Sequence, residues 1–155
     1  MEMKLTLNGS PVADEVAPDL LLLDFVRSHG CHSVKRGCET AGCGLCTVLL
    51  DGTPVLSCQT LAVRANGRVV TTLEGLQEEA KEFGAFLADE GGEQCGFCNP
   101  GFIMNVLAMV HELKDPTDEE INDFLMGNLC RCTGYQSQLR AIRKYLQAKQ
   151  GEGAV

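Results

Sequence analysis

Between Gly37 and Cys46 the chain reads GCETAGCGLC, three cysteines at spacing C-x4-C-x2-C with three glycines among them. Nothing else in the sequence restricts the fold as much, because the loop must wrap around whatever its thiols hold. A fourth cysteine, Cys58, follows Cys46 after eleven intervening residues. Asp51-Gly52 lies between them and predicts a two-residue hairpin turn. With that turn Leu50 pairs with Thr53, Val48 with Val55 and Leu45 with Cys58, so the hairpin returns Cys58 beside Cys46.

Cys38, Cys43, Cys46 and Cys58 thus have the plant-type ferredoxin spacing of a [2Fe–2S] cluster, a broader body than the single tetrahedral zinc ion that needs no such wrap. Gly37, Gly42 and Gly44 are expected to take positive φ and let the backbone approach closely, with amide N–H groups pointing at the sulfurs. Amides aimed at an anionic cluster stabilise its reduced state. A second set consists of Cys95 and Cys98 in EQCGFCNPGF and Cys130 and Cys132 in GNLCRCTGY. The C-x2-C pair alone is common to zinc and iron–sulfur sites. Both pairs fall at predicted helix boundaries, since Pro100-Gly101 opens one helix and Gly127-Asn128 closes another, and two pairs so held can clasp one more cluster.

Nine cysteines form an odd set for a disulfide framework, and in a reducing compartment they serve as ligands or catalytic thiols. The ninth, Cys31, is predicted to be a buried structural thiol. His29 and His32 flank it, but both quartets are complete without them, and histidine suits a helix end. Lys35-Arg36 beside the first loop reads as a surface pair or as a steering patch for an acidic or flavin-bearing partner.

With 155 residues, 45% of them hydrophobic, the chain can bury a core as one domain or two small ones. Its formal charge is −8, from 13 basic and 21 acidic residues, and no basic run exceeds a pair, which argues against nucleic acid as a partner. The longest apolar run, Val106 to Val110, is too short to span a membrane, and MEMKLTLNGS lacks a signal segment, so a cytoplasmic location is expected.

The pattern divides in two. MKLTL alternates, Asn8-Gly9 offers a turn, PVADEVA returns as a strand, TVLLDGTPVLSC is a second hairpin and GRVVTTL a late strand. Asp19 is expected to cap a helix through LLLDFVRS that ends near Gly30. After a connector at Gly67 to Gly75, LQEEAKEFGAFLADEG, PGFIMNVLAMVHELK, TDEEINDFLMG and SQLRAIRKYLQAK each repeat apolar residues at helical intervals. Thr117 and Glu120 predict a capping box, and Pro100 suits a first helical turn. Met104, Met109 and Met126 are expected to fill the core, His111 to be exposed, and the acidic runs to be solvated helix faces. The class is α+β: residues 1–74 form a β-rich domain, 75–150 a four-helix domain, and 151–155 a flexible tail.

VKRGCETAGCGLCTVLLDGTPVLSC, TTLEGL, EQCGFCNPGFIM and DPTDEEINDFLMGNLCRCTGYQSQLRAI together resemble the small iron–sulfur subunit of the xanthine dehydrogenase, or molybdenum hydroxylase, family. The likeness runs from about Leu5 to Tyr145 and has both four-cysteine signatures in the family's order. It implies a ferredoxin-like β-grasp domain with a distal [2Fe–2S] cluster on Cys38, Cys43, Cys46 and Cys58. A four-helix bundle domain would carry the proximal cluster on Cys95, Cys98, Cys130 and Cys132. By the same likeness, Gln94 and Cys132 approach a molybdopterin cofactor held by a large partner subunit, and electrons pass onward to FAD in a third subunit. The implied assembly is a dimer of heterotrimers, and no catalytic acid or base is expected in this chain.

Two further readings use the same residues. A freestanding two-cluster ferredoxin should have a mostly polar, charged surface, whereas an obligate subunit should expose an extensive apolar face. A structural zinc protein would tie two domains together with two four-cysteine sites and would be colourless.

Overall fold

Two turns of left-handed backbone shape the first half of the chain. Asn8 and Gly9 (φ 50° and 80°) fold Glu2–Leu7 (β1) back on Ser10–Glu15 (β2), and Asp51 and Gly52 (φ 51° and 82°) do the same for Thr47–Leu50 (β3) and Thr53–Leu56 (β4). Positive φ at both turn residues matches the right-handed strand twist, which is why Asn-Gly and Asp-Gly serve there. Val69–Thr71 (β5) runs parallel to β1 and antiparallel to β3, giving the order β2-β1-β5-β3-β4. The computed structural model describes residues 1–152.

One helix, Leu22–Ser28 (α1), crosses the sheet; the second half is helical, with Gln77–Asp89 (α2), Asn99–Glu112 (α3), Asp118–Leu125 (α4) and Gln136–Glu152 (α5). The class is therefore α+β, with a mixed sheet followed by helices. The Thr117–Glu120 capping box forms in both directions, and Pro100 sits in the first turn of α3. Helix α5 runs through Gly151 and Glu152, and residues 153–155 of the expected tail lie outside the described residues.

Asp19 does not cap α1. The helix begins after Leu21 without a side-chain cap, because Leu21 bridges Leu61 and the Leu22 N–H donates to the Thr60 carbonyl at 2.7 Å. Tertiary pairing satisfies the donor that a local cap would have served. Met104 and Met109 are buried as expected, but Met126 is 82% exposed. The chain leaves the helix after Leu125, and its apolar period no longer aims Met126 inward.

Strand β3 positions the rest, since all four of its residues are buried. Val48 and Leu50 join Phe25, Val26 and Val70 in the core beneath α1, while Leu49 meets Met104 and Ala108 of α3. Asn105 on α3 also reaches the Thr47 hydroxyl at 3.2 Å. The sheet is thus covered on both faces, and α3 ties it to a helical core of Phe83, Leu87, Val106, Ile121, Ile142 and Tyr145. Burying each such side chain contributes about 1.5–3 kcal/mol. Among the described residues no helix is long and apolar enough to cross a membrane.

The connector after β5 is held by polar groups. Asn8 donates to the Thr72 hydroxyl (2.9 Å) and accepts from the Thr72 amide (2.8 Å), and Glu74 accepts from the Ser33 amide (2.8 Å) and hydroxyl (2.6 Å) and the Thr72 hydroxyl (2.6 Å). Partial burial pushes the Glu74 carboxyl up, but these donors outweigh it and hold it below the ordinary glutamate value. Its stabilisation is complete above about pH 4.3 and is lost as pH falls through the lowered value. Glu74→Gln should cost about 1 kcal/mol at pH 7, with the gap to wild type closing in acid. Urea unfolding at both pH values tests this; a pH-independent difference would count against it.

Candidate metal centres

The first loop gathers its thiols in pairs. The Cys46 and Cys58 sulfurs lie 3.3 Å apart, much farther than a disulfide bond of about 2.05 Å. Cys38 and Cys43 are within hydrogen-bonding reach of each other, and Cys58 feels the charge of Cys46, Cys38 and Cys43. Strand pairing between β3 and β4 ends at Thr47–Leu56, short of the Leu45–Cys58 pair expected from the turn. A short 3-10 turn at Ser57–Gln59 instead swings Cys58 onto Cys46, and the Ser57 amide and hydroxyl both donate to the Cys46 carbonyl.

Backbone donors line this loop. The amides of Thr40, Gly42 and Cys43 approach Cys38; Thr40 leads, and together with the Cys43 thiol they lower Cys38 to about 6. Burial raises Cys43, and burial together with Cys46 pushes Cys58 up to about 12. A loop that aims amides at one sulfur, and in which thiolates raise each other's pKa, favours a cation among them. Of the three glycines expected at positive φ, only Gly44 (72°) adopts it, and Ala41 (57°) takes the other left-handed position. Gly37 serves by close approach, since a Cβ there would lie 2.8 Å from Leu45 Cδ2 and 3.2 Å from the Cys43 sulfur.

The second quartet is paired the same way. Cys95 and Cys132 lie 3.6 Å apart at the exposed edge, while Cys98 and the buried Cys130 are within hydrogen-bonding reach of each other. The Phe97 amide, followed by the Cys132 thiol, lowers Cys95, and the Cys95 thiol raises Cys132. Burial, then Cys130, pushes Cys98 up to about 12. Burial also acts to raise Cys130, yet the Thr133 hydroxyl (3.1 Å) and the Thr133 and Cys132 amides outweigh it and lower the thiol. Among the described residues no three His, Cys, Asp or Glu side chains close around a point as one metal ion requires. Two pairs per site suit a two-iron cluster held by four thiolates.

Gln94 is exposed and adjoins Cys95, on the same edge as Cys132. Cys31 is buried at 4% exposure in the core cluster that also holds Cys46, and its thiol meets the Asn8 amide at 3.5 Å; burial raises its pKa. His29 turns to the Phe25 carbonyl instead, at 2.9 Å. Lys35 and Arg36 are both used internally. Lys35 reaches the Phe97 carbonyl at 3.1 Å and lies 4.4 Å from that ring's centre, and Arg36 pairs with Asp24 at 2.8 Å.

Several contributors escaped the sequence reading. The Leu129 N–H donates to the Cys43 carbonyl at 2.9 Å, joining the first quartet to the residue before Cys130. The Tyr135 hydroxyl accepts from the Cys130 amide at 3.0 Å, and Asn105 donates to Asn128 at 2.9 Å. The only sequence signal for Tyr135 is Gly134 before it, where both residues take left-handed backbone (69° and 70°) to turn the ring back.

Comparison with known proteins agrees with this geometry. Residues 5–69 match the family described as 2Fe-2S iron-sulfur cluster binding domain, and residues 72–143 the one described as [2Fe-2S] binding domain. The nicotinate dehydrogenase small FeS subunit of Eubacterium barkeri is 42% identical over 144 residues, covering 91% of this chain and 92% of that protein. The xanthine dehydrogenase iron-sulfur-binding subunit of Escherichia coli O157:H7 is 44% identical over 144 residues, with 90% and 91% covered. Among solved structures, quinoline 2-oxidoreductase from Pseudomonas putida 86 superposes with a TM-score of 0.88 at 36% identity, covering 99% of this chain and 97% of that one. Aldehyde oxidoreductase from Desulfovibrio gigas gives 0.88 at 35% identity, with 98% of this chain matching 17% of a longer one. With two cysteine quartets on this fold and relatives this similar over nearly its whole length, the chain belongs to the small [2Fe–2S] subunits of the xanthine dehydrogenase family.

Proposed function

We propose that this chain is the electron-transfer subunit of a multi-subunit molybdenum hydroxylase, working in the cytoplasm between a large molybdopterin-binding subunit and a FAD-binding subunit. Cys38, Cys43, Cys46 and Cys58 hold the distal cluster, and Cys95, Cys98, Cys130 and Cys132 the proximal one. When bound, each [2Fe–2S] cluster supplies a one-electron couple. The observation that carries the reading is the Leu129 N–H to Cys43 carbonyl bond, a route of one hydrogen bond between the two ligand sets.

The chain's own residues bind and tune. Residues 1–74 act as a β-grasp unit, residues 75–150 act as a four-helix bundle, and α3 joins them. Gln94 and Cys132, on the exposed edge, face the molybdopterin of the partner. Substrate binding and acid–base steps belong to that partner, whose substrate would be a purine, an N-heterocycle or an aldehyde. The full assembly would be a dimer of heterotrimers.

Exposed apolar side chains near the second quartet favour a subunit over a freestanding ferredoxin. Phe97 is 53% exposed, Leu129 55% and Tyr135 43%, the first two within a residue of a proximal ligand. A carrier that met its partners only briefly would leave these positions polar. The paired arrangement of the sulfurs favours iron–sulfur over zinc.

Anaerobic purification of the chain from its host, with iron, zinc and molybdenum measured together, tests the reading. About four irons per chain, with molybdenum and two larger chains in the same eluate, is the expected result. Iron without molybdenum would replace it with the freestanding carrier, and zinc in place of iron would overturn both.

A further inference from the structure

Gln138 is 2% exposed, and neither its Oε1 nor its Nε2 has a hydrogen-bond partner; among the described residues no other buried side-chain nitrogen or oxygen is left so. Such an amide carries its full desolvation penalty unless something absent from the protein chain itself satisfies it. Gln138 borders two spaces. One is an open groove of ≈ 330 Å³ lined by Phe102, Ile121, Leu125, Tyr135 and Ile142 among others. An amide turned into that groove would meet water, whereas both polar atoms of Gln138 are shut off from solvent.

The other space is a narrow gap with no room for water, bordered by Cys98 and Cys130 of the second quartet, Cys43 of the first, and Asn128. Gln138 lies in the first turn of α5, and helical side chains lean toward their own N-terminus, which carries this one toward the Cys130–Tyr135 loop. The protein acceptors there are engaged: Asn128 Oδ1 receives Asn105, and the Cys130 sulfur receives Thr133. Ligation to iron makes the Cys98 and Cys130 sulfurs that border this gap anionic acceptors, and a neutral amide donor suits them.

We propose that the side-chain amide of Gln138 donates a hydrogen bond to a sulfur of the second cluster, on its Cys98–Cys130 side, and sets that cluster's reduction potential. The inference rests on the two-cluster reading above. A donor stabilises the reduced cluster, which carries more negative charge, and therefore raises the potential. Gln138 is a tuning residue, since it ligates no iron.

The test is a redox titration followed by EPR on the full chain loaded with both clusters, comparing wild type with Gln138→Leu and Gln138→Met. In either variant the one-electron reduction equilibrium of the second cluster should shift about tenfold against reduction, about 59 mV lower, with the first cluster unmoved. Pulsed EPR in deuterated water should also show an exchangeable proton coupling to the second cluster that both variants lose. Variants that keep both EPR signals at wild-type potentials, with that coupling intact, overturn the role of Gln138. A wild-type chain that takes up no second cluster would instead overturn the reading beneath it. The methionine variant, close to glutamine in volume, keeps the test open if leucine disturbs folding.

Discussion

Gly101→Ala should destabilise the chain by about 3 kcal/mol and strip iron from it. Gly101 lies in the first turn of α3, where an added Cβ would stand 2.3 Å from the Gly44 carbonyl oxygen, 2.9 Å from Leu45 Cα and 3.1 Å from the Gly44 carbonyl carbon. All three atoms are backbone, so no rotamer change relieves the overlap. Gly44 in turn has φ of +72°, and a Cβ there would meet the Gly127 carbonyl oxygen at 2.5 Å. The loop of the first quartet therefore rests on α3 and on the turn after α4 through contacts that only glycine allows. Forcing α3 away from Gly44 would strain the Leu129–Cys43 bond and pull Cys98 out of place, because Cys98 caps the same helix. Gly84→Ala is the control: Gly84 lies inside α2 with nothing within 4 Å of its added Cβ, and alanine there should stabilise by about 0.5–1 kcal/mol. Urea midpoints and iron per chain for both variants decide the matter, and a wild-type midpoint for Gly101→Ala would refute the seam.

That seam also shows where sequence reading stops. The cysteine pairs that the structure brings together were legible because their geometry is local: a C-x4-C-x2-C loop, a hairpin whose turn is written as Asp-Gly, and cysteine pairs beside helix ends. Helices α2 to α5 were legible from apolar period, and Thr117 with Glu120 marked the start of α4. Features that depend on two distant segments meeting were not. The Leu21–Leu61 bridge replaced the expected Asp19 cap, and the 3-10 turn at Ser57 replaced a longer β3–β4 ladder. The glycines of the loop were noticed, but Gly44 matters as much for its contact with Gly101 as for its φ. Gln138 is the clearest case, because a glutamine on an amphipathic helix reads as solvated until the packing shows it sealed beside Cys130.

Cys43→Ser and Cys132→Ser should each lower iron from about four to about two per chain, but they should stop electron flow at different places. Removing a direct ligand should weaken cluster binding by more than about 100-fold, beyond what the loss of an outer hydrogen bond does. Serine at position 43 keeps the backbone carbonyl that accepts from Leu129, so the loop stays docked while its pair with the half-buried Cys38 is lost. Serine at position 132 breaks the exposed Cys95–Cys132 pair, the edge that would face the molybdopterin subunit. In the assembled complex given substrate, Cys43→Ser should therefore still bleach the visible absorbance of the remaining proximal cluster while passing nothing to the flavin. Cys132→Ser should bleach neither cluster under the same conditions, because its surviving distal cluster has no route to the reducing end. Anaerobic single-turnover spectra of the two complexes separate these outcomes. If the Cys132→Ser complex instead bleached its remaining distal cluster while reducing no flavin, the order of the two clusters would have to be reversed, and flavin reduced at the wild-type rate would take the second cluster off the route altogether.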